Sequence, residues 1–254
     1  MELQGQSAIV TGAGRGIGRA TALELARMGA DIVVAELDKP GAERTAGEVT
    51  ALGRRALAVP TDVTRPADLT AMIERTRAAF GRLEQCRDLP GRFDASDHGG
   101  SLGHGADHQR QGGLLRQPGR AADHDRAEER GDRQPGIDGG QDRQRQQPSY
   151  NASKAAVISI TKSLALAHAA DGIRVNCVCP GFVETDMWTS VSKELGALTG
   201  VPPAEFTSRR LATIPLGRME RPEDVANVIG FLASTKAGYM TGQALSVDGG
   251  LVTH

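Results

Sequence analysis

The sequence predicts an α/β fold, in which a parallel sheet lies between two layers of helices. Strand-like apolar runs alternate with helical apolar spacing through residue 83, and a glycine-rich loop separates the first strand from the first helix. The chain has 254 residues, 39% of them hydrophobic, which suits one sizeable domain. We therefore expect residues 1–254 to form a single domain.

The first part of the chain supplies three strands and the helices that cross over between them. An apolar run at residues 8–10 precedes the glycine loop, and helical spacing follows over residues 19–28. A second apolar strand, residues 31–35, finishes at Glu36, and a third covers residues 56–59. Apolar residues at helical spacing over 67–80 then predict the next helix. Successive crossovers of this kind call for a parallel sheet.

The loop TGAGRGIG and the acidic residue 24 positions after its first glycine predict a dinucleotide site. Glycines let the backbone approach a pyrophosphate at a helix N-terminus, and a carboxylate after the second strand accepts hydrogen bonds from ribose hydroxyls. The alternative is a purely structural turn, which both flanking strands and the acid disfavour. The candidate cofactor-binding residues here are Gly12, Arg15, Gly16, Ile17, Gly18 and Glu36.

The residues around this loop also bear on the choice of cofactor. A carboxylate at Glu36 repels the 2′-phosphate of NADP, which favours NAD. Arg15 argues for NADP, because a cation beside the loop can pair with that phosphate. Leu37 offers no second cation. We expect NAD as the cofactor, with NADP as the alternative.

Tyr150 and Lys154 stand four residues apart at the start of a long alanine-rich stretch. On a helix these positions share a face, so the ammonium of Lys154 lies beside the phenol of Tyr150. A phenol ordinarily has a pKa near ~10, and a neighbouring cation lowers that pKa towards neutrality. Tyr150 is therefore a candidate general acid/base. The alternative is an ordinary helix surface that carries both residues by chance.

These motifs resemble the classical short-chain dehydrogenase/reductase family. Its TGxxxGxG loop matches Gly12, Gly16 and Gly18, and its YxxxK pair matches Tyr150 and Lys154. The resemblance covers residues 1–83 and 148–254. It implies a Rossmann fold with a doubly wound parallel sheet of about seven strands, and a homotetramer. It also implies an adenine contact at Asp62 and Val63 and a strand and loop, NCVCPGFVET, that close over the nicotinamide; the cofactor-binding residues there are Pro180, Gly181, Val183 and Thr185.

The resemblance further implies hydride transfer between nicotinamide and a secondary alcohol or ketone. Tyr150 would exchange the proton on the substrate oxygen, while Lys154 would lower the tyrosine pKa and bind the nicotinamide ribose. The C-terminal segments look most like members that act on polyols, vicinal diols or acetoin. One alternative is a 3-oxoacyl-acyl-carrier-protein reductase using NADPH. Another is a catalytically silent scaffold that binds the cofactor without turnover.

Residues 84–147 depart from the family pattern. The family has two strands here, one ending in an NNAG-like segment and one ending in the catalytic serine, but these residues contain no valine and are crowded with Arg, Gln, Asp, Gly and His. Such a composition is unsuited to a buried parallel strand. An insertion would leave the family elements on either side of it, whereas this segment replaces them.

A frameshift accounts for this segment. One codon choice for residues 84–91, read one nucleotide later, gives SNAGIYPG, and the same offset permits TMEEAWDTVLTINVKGVFFANQ and GAIVNLASMAAKTGNANN further on. The last of these places a serine across Ile137 and Asp138, 13 positions before Tyr150. We favour a shift in the recorded sequence, which leaves a complete enzyme. A shift in the protein itself would remove two central strands and prevent stable folding.

Composition excludes several other classes of function. A formal net charge of −1 without a basic stripe predicts neither a nucleic-acid nor a membrane partner. The N-terminus lacks a signal peptide and no apolar run reaches membrane-spanning length, so we expect a cytoplasmic protein. The three cysteines form no disulfide framework, and the four histidines within residues 84–147 predict no metal site.

The long segment 184–212 is a candidate substrate lid. It contains Trp188 and paired prolines at Pro202 and Pro203, in a stretch longer than most connections in compact domains. Met187 and Trp188 are candidates either for an apolar pocket wall or for a packed hinge.

Overall fold

A computed structural model of the chain describes residues 1–81 and 148–252. The predictions made for residues 84–147, including the catalytic serine and two further strands, lie outside the described residues. The described elements are parallel strands and helices, as expected of a Rossmann fold.

Within residues 1–81, three parallel strands form a sheet in the order β1, β2, β3. The strands are β1 (Ser7–Thr11), β2 (Asp31–Glu36) and β3 (Ala56–Pro60). Register pairs Thr11 with Ala35 and Glu36 with Pro60, so all three strands end at the same edge. Strand β2 is central, and its residues 31–35 are all buried.

Three helices follow these strands: α1 (Gly16–Arg27), α2 (Lys39–Ala51) and α3 (Pro66–Phe80). A cluster of buried apolar side chains joins α1 and α2 to one face of the sheet, with Ile32 and Val34 pointing into it. On the other face, Val33 and Val59 pack with Met72 of α3. Strand residues therefore alternate between two cores, as a sheet covered on both faces requires.

Residues 148–252 contribute a pair of parallel strands and four helices. Strand β4 (Cys177–Pro180) pairs with β5 (Ala244–Val247). The helices are α4 (Pro148–His168), α5 (Asp186–Thr199), α6 (Pro203–Leu211) and α7 (Pro222–Ala233). Single 3-10 turns follow α4 at Ala169–Asp171 and α7 at Thr235–Ala237. Of the seven strands expected, five lie in the described residues.

Helix α7 connects the two sets of strands, because it packs against both α1 and β4. The contact with α1 is close: a Cβ added at Gly230 would lie 2.8 Å from Sδ of Met28 and 3.4 Å from Cγ of Glu24. Val225, Ile229 and Leu232 of α7 are buried. The start of α7 is fixed by Pro222 and by the Asp224 carboxylate, which accepts a hydrogen bond from the Arg221 N–H at 2.8 Å.

The apolar pattern of residues 173–178 predicts a strand over those positions, but β4 begins only at Cys177. The residues before Cys177 bind the C-terminal end of α7 and the segment that follows it instead. The Arg174 guanidinium donates to the carbonyl oxygens of Leu232 at 2.7 Å and of Ala237 at 2.8 Å, and Gly242 N donates to Val175 O at 2.7 Å. These bonds satisfy polar groups left at the C-terminal end of α7, and the sheet ladder begins only after them.

Candidate cofactor-binding and active site

Glu36 lies beside the glycine loop at the carboxyl ends of β1 and β2. Its Oε2 accepts a hydrogen bond from Gly14 N at 3.0 Å. Its Oε1 accepts from Leu37 N at 2.8 Å and from Asp38 N at 3.2 Å. Three backbone donors therefore hold this carboxylate in one position next to the loop, where the sequence predicted a ribose-binding acid.

The glycine loop has backbone positions that require glycine. Gly12 and Gly16 have φ values of 62° and 52°, which favour glycine. A Cβ at Gly14 would lie 2.8 Å from Cγ of Glu36. Helix α1 begins at Gly16, its first turn has no acidic residue, and the Arg15 side chain makes no capping hydrogen bond. An uncapped helix N-terminus next to a glycine loop fits the pyrophosphate of a nicotinamide dinucleotide.

Ile17 and Gly18 follow in the first turn of α1, and Gly18 is buried. A second cation also lies near the loop, which the sequence alone did not reveal. Arg44, on α2, donates from Nη2 to the carbonyl oxygen of Gly14 at 3.3 Å. It stands 30 positions after that glycine, so only the return of α2 to the loop brings it there. The other cation near the loop is Arg15, which the sequence did indicate.

Asp62 and Val63 follow β3 at the same edge of the sheet. The Asp62 carboxylate accepts hydrogen bonds from Thr64 N at 2.9 Å and from Thr64 Oγ1 at 2.7 Å, and Asp62 N donates to Asp68 Oδ2 at 3.0 Å. These bonds fix the turn into α3. Val63 is 50% exposed and presents an apolar surface beside the turn, which suits contact with a flat apolar group such as adenine.

The second half of the chain brings its own loop to this region. After Pro180 ends β4, Gly181 N donates to Val247 O at 3.0 Å and to Glu220 Oε2 at 2.9 Å. Thr185 caps α5 by accepting from Trp188 N at 3.4 Å. The Thr185 methyl group lies 3.6 Å from the position of a Cβ added at Gly16. The glycine loop and the segment Pro180–Thr185 therefore meet.

Tyr150 and Lys154 both lie on α4, about one turn apart as predicted. Lys154 is half-buried and close to the end of β4. The charge of Lys154 acts on Cys179, in β4, which shows that the two residues are close. A hydrogen bond with Cys177 and burial raise the pKa of the Cys179 thiol, and the Lys154 ammonium opposes that rise. Lys154 thus lies near the carboxyl end of β4, close to the start of the segment Pro180–Thr185.

Glu220 is a further ionisable group at this site, and no motif in the sequence indicates it. It lies two residues before α7 and is 8% exposed. Burial raises the pKa of its carboxyl group to about 7; the hydrogen bond from Gly181 N opposes the rise, and the charges of Asp224 and Asp248 add to it. The carboxyl group therefore changes its charge near neutral pH.

The segment 184–212 forms two helices, α5 and α6, that pack against each other. Trp188 lies between two aromatic rings, with centroid distances of 5.2 Å to Phe182 and 6.2 Å to Phe206. The Arg210 guanidinium lies 5.8 Å and 5.3 Å from the centroids of those two rings. Trp188 is thus packed against neighbouring aromatic side chains, while the Met187 side chain lies outside what the structure describes.

Two family models match the chain on either side of the unusual segment. The model described as short chain dehydrogenase matches residues 6–85, and the model described as enoyl-(acyl carrier protein) reductase matches residues 136–252. A sorbitol dehydrogenase of Cereibacter sphaeroides is 31% identical over 98% of this chain and 98% of its own. The chain belongs to the short-chain dehydrogenase/reductase family.

Relatives within the short-chain dehydrogenase/reductase family act on different alcohols and ketones. A cis-4-hydroxycyclohexanecarboxylate dehydrogenase of Sinomonas cyclohexanicum is 35% identical, over 96% of this chain and 95% of its own. A 3-oxoacyl-acyl-carrier-protein reductase of Escherichia coli is 32% identical, over 99% of each. This chain is accordingly an oxidoreductase that acts on CH–OH groups with a nicotinamide cofactor.

Solved structures of short-chain dehydrogenase/reductases share the Rossmann fold described above. L-Sorbose reductase from Gluconobacter frateurii, solved with NADPH and L-sorbose, is 25% identical with a TM-score of 0.70 and covers 100% of both chains. A 7α-hydroxysteroid dehydrogenase solved with NADH and a bile-acid ligand is 25% identical with a TM-score of 0.68, over 100% of this chain and 96% of that one. Relatives of this fold thus bind either nicotinamide dinucleotide.

The described residues contain neither a metal-binding cluster nor a membrane-spanning helix. Within residues 1–81 and 148–252, no group of three or more His, Cys, Asp and Glu side chains is placed to hold a metal ion. Over the same residues, none of the helices has both the length and the apolar character needed to span a membrane.

Proposed function

We propose that this short-chain dehydrogenase/reductase transfers hydride between NAD and a secondary alcohol or ketone of the polyol, vicinal diol or acetoin type. The preference for NAD rests on Glu36, whose carboxylate is held beside Gly14 by three backbone N–H groups. A fixed negative charge at that place favours ribose hydroxyls over a 2′-phosphate. Sorbitol dehydrogenase among the relatives and L-sorbose reductase among the structures support a sugar-alcohol substrate.

We propose specific roles for the residues at the two loops. Gly12, Gly16, Ile17 and Gly18 would hold the pyrophosphate at the start of α1, and Asp62 and Val63 would border the adenine. Pro180, Gly181, Val183 and Thr185 would border the nicotinamide, because Thr185 reaches the glycine loop. A bound nicotinamide supplies the hydride acceptor or donor; the chain supplies the pocket and the proton transfer.

The catalytic proposal rests on Lys154, which lies one turn from Tyr150 on α4 and close to the end of β4. The Lys154 ammonium favours the ionised form of a phenol on the same helix face. Tyr150 would then take a proton from the substrate hydroxyl in oxidation and return it to the carbonyl oxygen in reduction. The serine expected near Ile137 and Asp138 would orient the substrate oxygen.

The test is initial rates with NAD and NADP on a panel of sugar alcohols, vicinal diols and acetoin. Tyr150→Phe should lower kcat by at least about a hundredfold, the ordinary contribution of a general acid/base. Tyr239→Phe is the matched control, since Tyr239 is fully exposed. Lys154→Met should also inactivate, whereas Lys162→Met, at an exposed position on the same helix, should not. Equal activity of the wild type and Tyr150→Phe would refute the assigned role.

A 3-oxoacyl-acyl-carrier-protein reductase using NADPH is the second candidate. Two cations at the glycine loop favour it: Arg15, and Arg44 with its hydrogen bond to Gly14 O. The E. coli relative carries that activity in its name. Reduction of a 3-oxoacyl thioester with strong NADPH preference, without oxidation of any polyol, would replace the first proposal by this one.

A catalytically silent scaffold is the third candidate. Whether it applies depends on the true sequence of residues 84–147, which determines whether the catalytic serine is present. The two family models leave residues 86–135 unmatched, which is most of the segment 84–147 assigned to the frameshift. We expect the intact mass of the protein to differ from that of the printed sequence. Peptides between Arg82 and Lys154 should contain NAGIYPG and NLASMAAK. Peptides that match the printed residues 84–147 would mean that the serine is absent, and would favour binding without turnover.

We also propose a single-domain protomer, a homotetramer and a cytoplasmic location. Helix α4 carries exposed apolar side chains, with Leu166 83% exposed and Leu164 38% exposed, which a subunit contact would cover. Cys177 and Cys179 are free thiols, as in proteins of reducing compartments. Light scattering after size-exclusion chromatography tests the tetramer; a monomer at micromolar concentration would refute it.

A further inference from the structure

Glu220 is bound through its backbone to the segment between β4 and α5. Its N–H donates to Phe182 O at 3.0 Å, and its carbonyl oxygen accepts from Glu184 N at 2.7 Å. Residues 183 and 220 form a parallel bridge between these two bonds. Residue 220 therefore acts as a one-residue strand along the loop 181–184, the part of the proposed nicotinamide-binding segment that follows Pro180.

The Glu220 side chain adds a third bond to the same loop but leaves one oxygen unsatisfied. Oε2 accepts from Gly181 N at 2.9 Å. Oε1 is buried and has no hydrogen-bond partner among the described residues. A buried carboxylate with one unpaired oxygen is costly when charged, and much less so when it carries a proton. The arrangement therefore favours the neutral acid.

The charged groups that face Glu220 come from three directions and favour the same neutral state. Asp224 lies in the first turn of α7, Asp248 follows β5, and Arg218 lies in the turn before Glu220. Arg218 is the one cation among them, and its Nη1 and Nη2 donate to the Asp224 carboxylate at 2.6 Å and 3.0 Å. Two neighbouring carboxylates therefore outweigh a cation that is engaged with one of them.

We propose that Glu220 is a positioning residue, which latches the loop 181–184 as a neutral acid and loosens it on ionisation, so that cofactor affinity depends on pH. The latch consists of the two backbone bonds and the bond to Gly181. Ionisation places an uncompensated charge beneath the loop, and any rearrangement that brings water to Oε1 relieves it. The cofactor consequence rests on the proposed function of this loop; the loop movement itself does not.

The sign of the pH dependence follows from proton linkage. In the latched arrangement the pKa of Glu220 is raised to about 7, above the value of a carboxyl group in water. The latched loop therefore binds the proton more tightly than a loosened loop does, and it loses stability as the pH rises through that value. Cofactor affinity should therefore fall by up to about tenfold for each pH unit between the ordinary carboxyl pKa of about 4.3 and about 7, and should level off above that value.

Trp188 fluorescence reports on the conformation of the loop 181–184. Trp188 is the one tryptophan of the chain, and the centroid of its ring lies 5.2 Å from that of Phe182 in the loop. Fluorescence of the cofactor-free protein, followed from about pH 4 to about pH 8.5, should show a transition whose midpoint lies between the ordinary carboxyl pKa of about 4.3 and the Glu220 pKa of about 7. Glu220→Gln keeps an acceptor for Gly181 N and cannot ionise, so the transition should vanish. Glu223→Gln, which removes an exposed carboxylate of α7, should retain it.

Calorimetric titration with NAD and with NADP over the same pH values completes the test. Wild type and Glu223→Gln should bind more weakly as the pH rises, whereas Glu220→Gln should keep nearly constant affinity. Glu220→Met, a neutral residue of similar size, serves as a second variant if Glu220→Gln does not fold. A transition that persists in a folded neutral variant, or its absence in wild type, overturns the latch. A normal fluorescence transition without binding of either cofactor instead overturns the proposed function and leaves the latch in place.

Discussion

Replacing Glu36 by Gln tests the basis of cofactor choice with little change in shape. A Gln oxygen can still accept from Leu37 N and Asp38 N, whose bonds to Glu36 are 2.8 Å and 3.2 Å long. In the wild type, Gly14 N donates to Oε2 of Glu36 at 3.0 Å. In the variant the amide NH2 group faces Gly14 N, so that hydrogen bond is lost. The variant thus removes a full negative charge and one of three hydrogen bonds from the edge of the glycine loop.

The expected shift in affinity follows from Coulomb's law. Two unit charges about 6 Å apart interact by about 0.7 kcal/mol in water, and by roughly twice that at a partly desolvated protein surface. A phosphate carries about two charges, so removing the carboxylate should stabilise NADP binding by about 1.5–3 kcal/mol. The ratio of the NAD to the NADP dissociation constant should therefore rise by about ten- to a hundredfold.

Calorimetric titration with each cofactor measures this ratio and needs no substrate. The matched control is Glu43→Gln, since Glu43 is an exposed carboxylate of α2 whose ion pair is with Lys39 at 3.7 Å. Adding Arg44→Ala to Glu36→Gln should reverse part of the gain, because Arg44 lies at Gly14. A ratio in Glu36→Gln within about twofold of wild type, where charge removal predicts at least about tenfold, would refute the role given to Glu36.

Three other substitutions have expected outcomes. Gly14→Ala should weaken NAD binding while the protein stays folded, because the new Cβ, 2.8 Å from Cγ of Glu36, displaces a side chain that can move; calorimetry and thermal melting measure the two effects. Gly181→Ala should lower Tm, because its Cβ would lie 3.0 Å from the Asp248 backbone, which cannot move as easily; an unchanged Tm would contradict this. Arg174→Ala should lower the free energy of unfolding by about 3 kcal/mol, since it removes charged hydrogen bonds to Leu232 O and Ala237 O. Its control is Arg54→Ala, on the distant β3 side, which should lower Tm without changing the hydrogen exchange of α7.

The features that the sequence predicted well are local ones. The glycine loop, the helix that follows it and Glu36 lie within one strand–helix–strand unit, so their spacing along the chain determines their spacing in the fold. The same holds for Tyr150 and Lys154, whose relation requires only that the stretch be helical. Local patterns of this kind depend little on the rest of the molecule.

The features that the sequence did not predict arise from contacts between distant segments. Arg44 reaches Gly14 because α2 returns towards the loop, and Glu220 reaches Gly181 because α7 packs beside β4. Neither residue differs in type from the charged residues around it. The apolar pattern predicted a start of β4 that is too early for a related reason. Arg174 binds carbonyl groups at the C-terminal end of α7 and beyond it, and no apolar pattern indicates such bonds.

The contact between Gly230 and Met28 has a consequence for the order in which the chain acquires its structure during synthesis. These residues are roughly 200 positions apart, so α7 reaches α1 only after nearly the whole chain has left the ribosome. Strands β1 to β3 and their helices can assemble earlier, because their contacts are short in sequence. Until α7 packs against α1, the apolar side of α1 is exposed to solvent in the nascent chain. Binding of chaperones should be strongest at that stage.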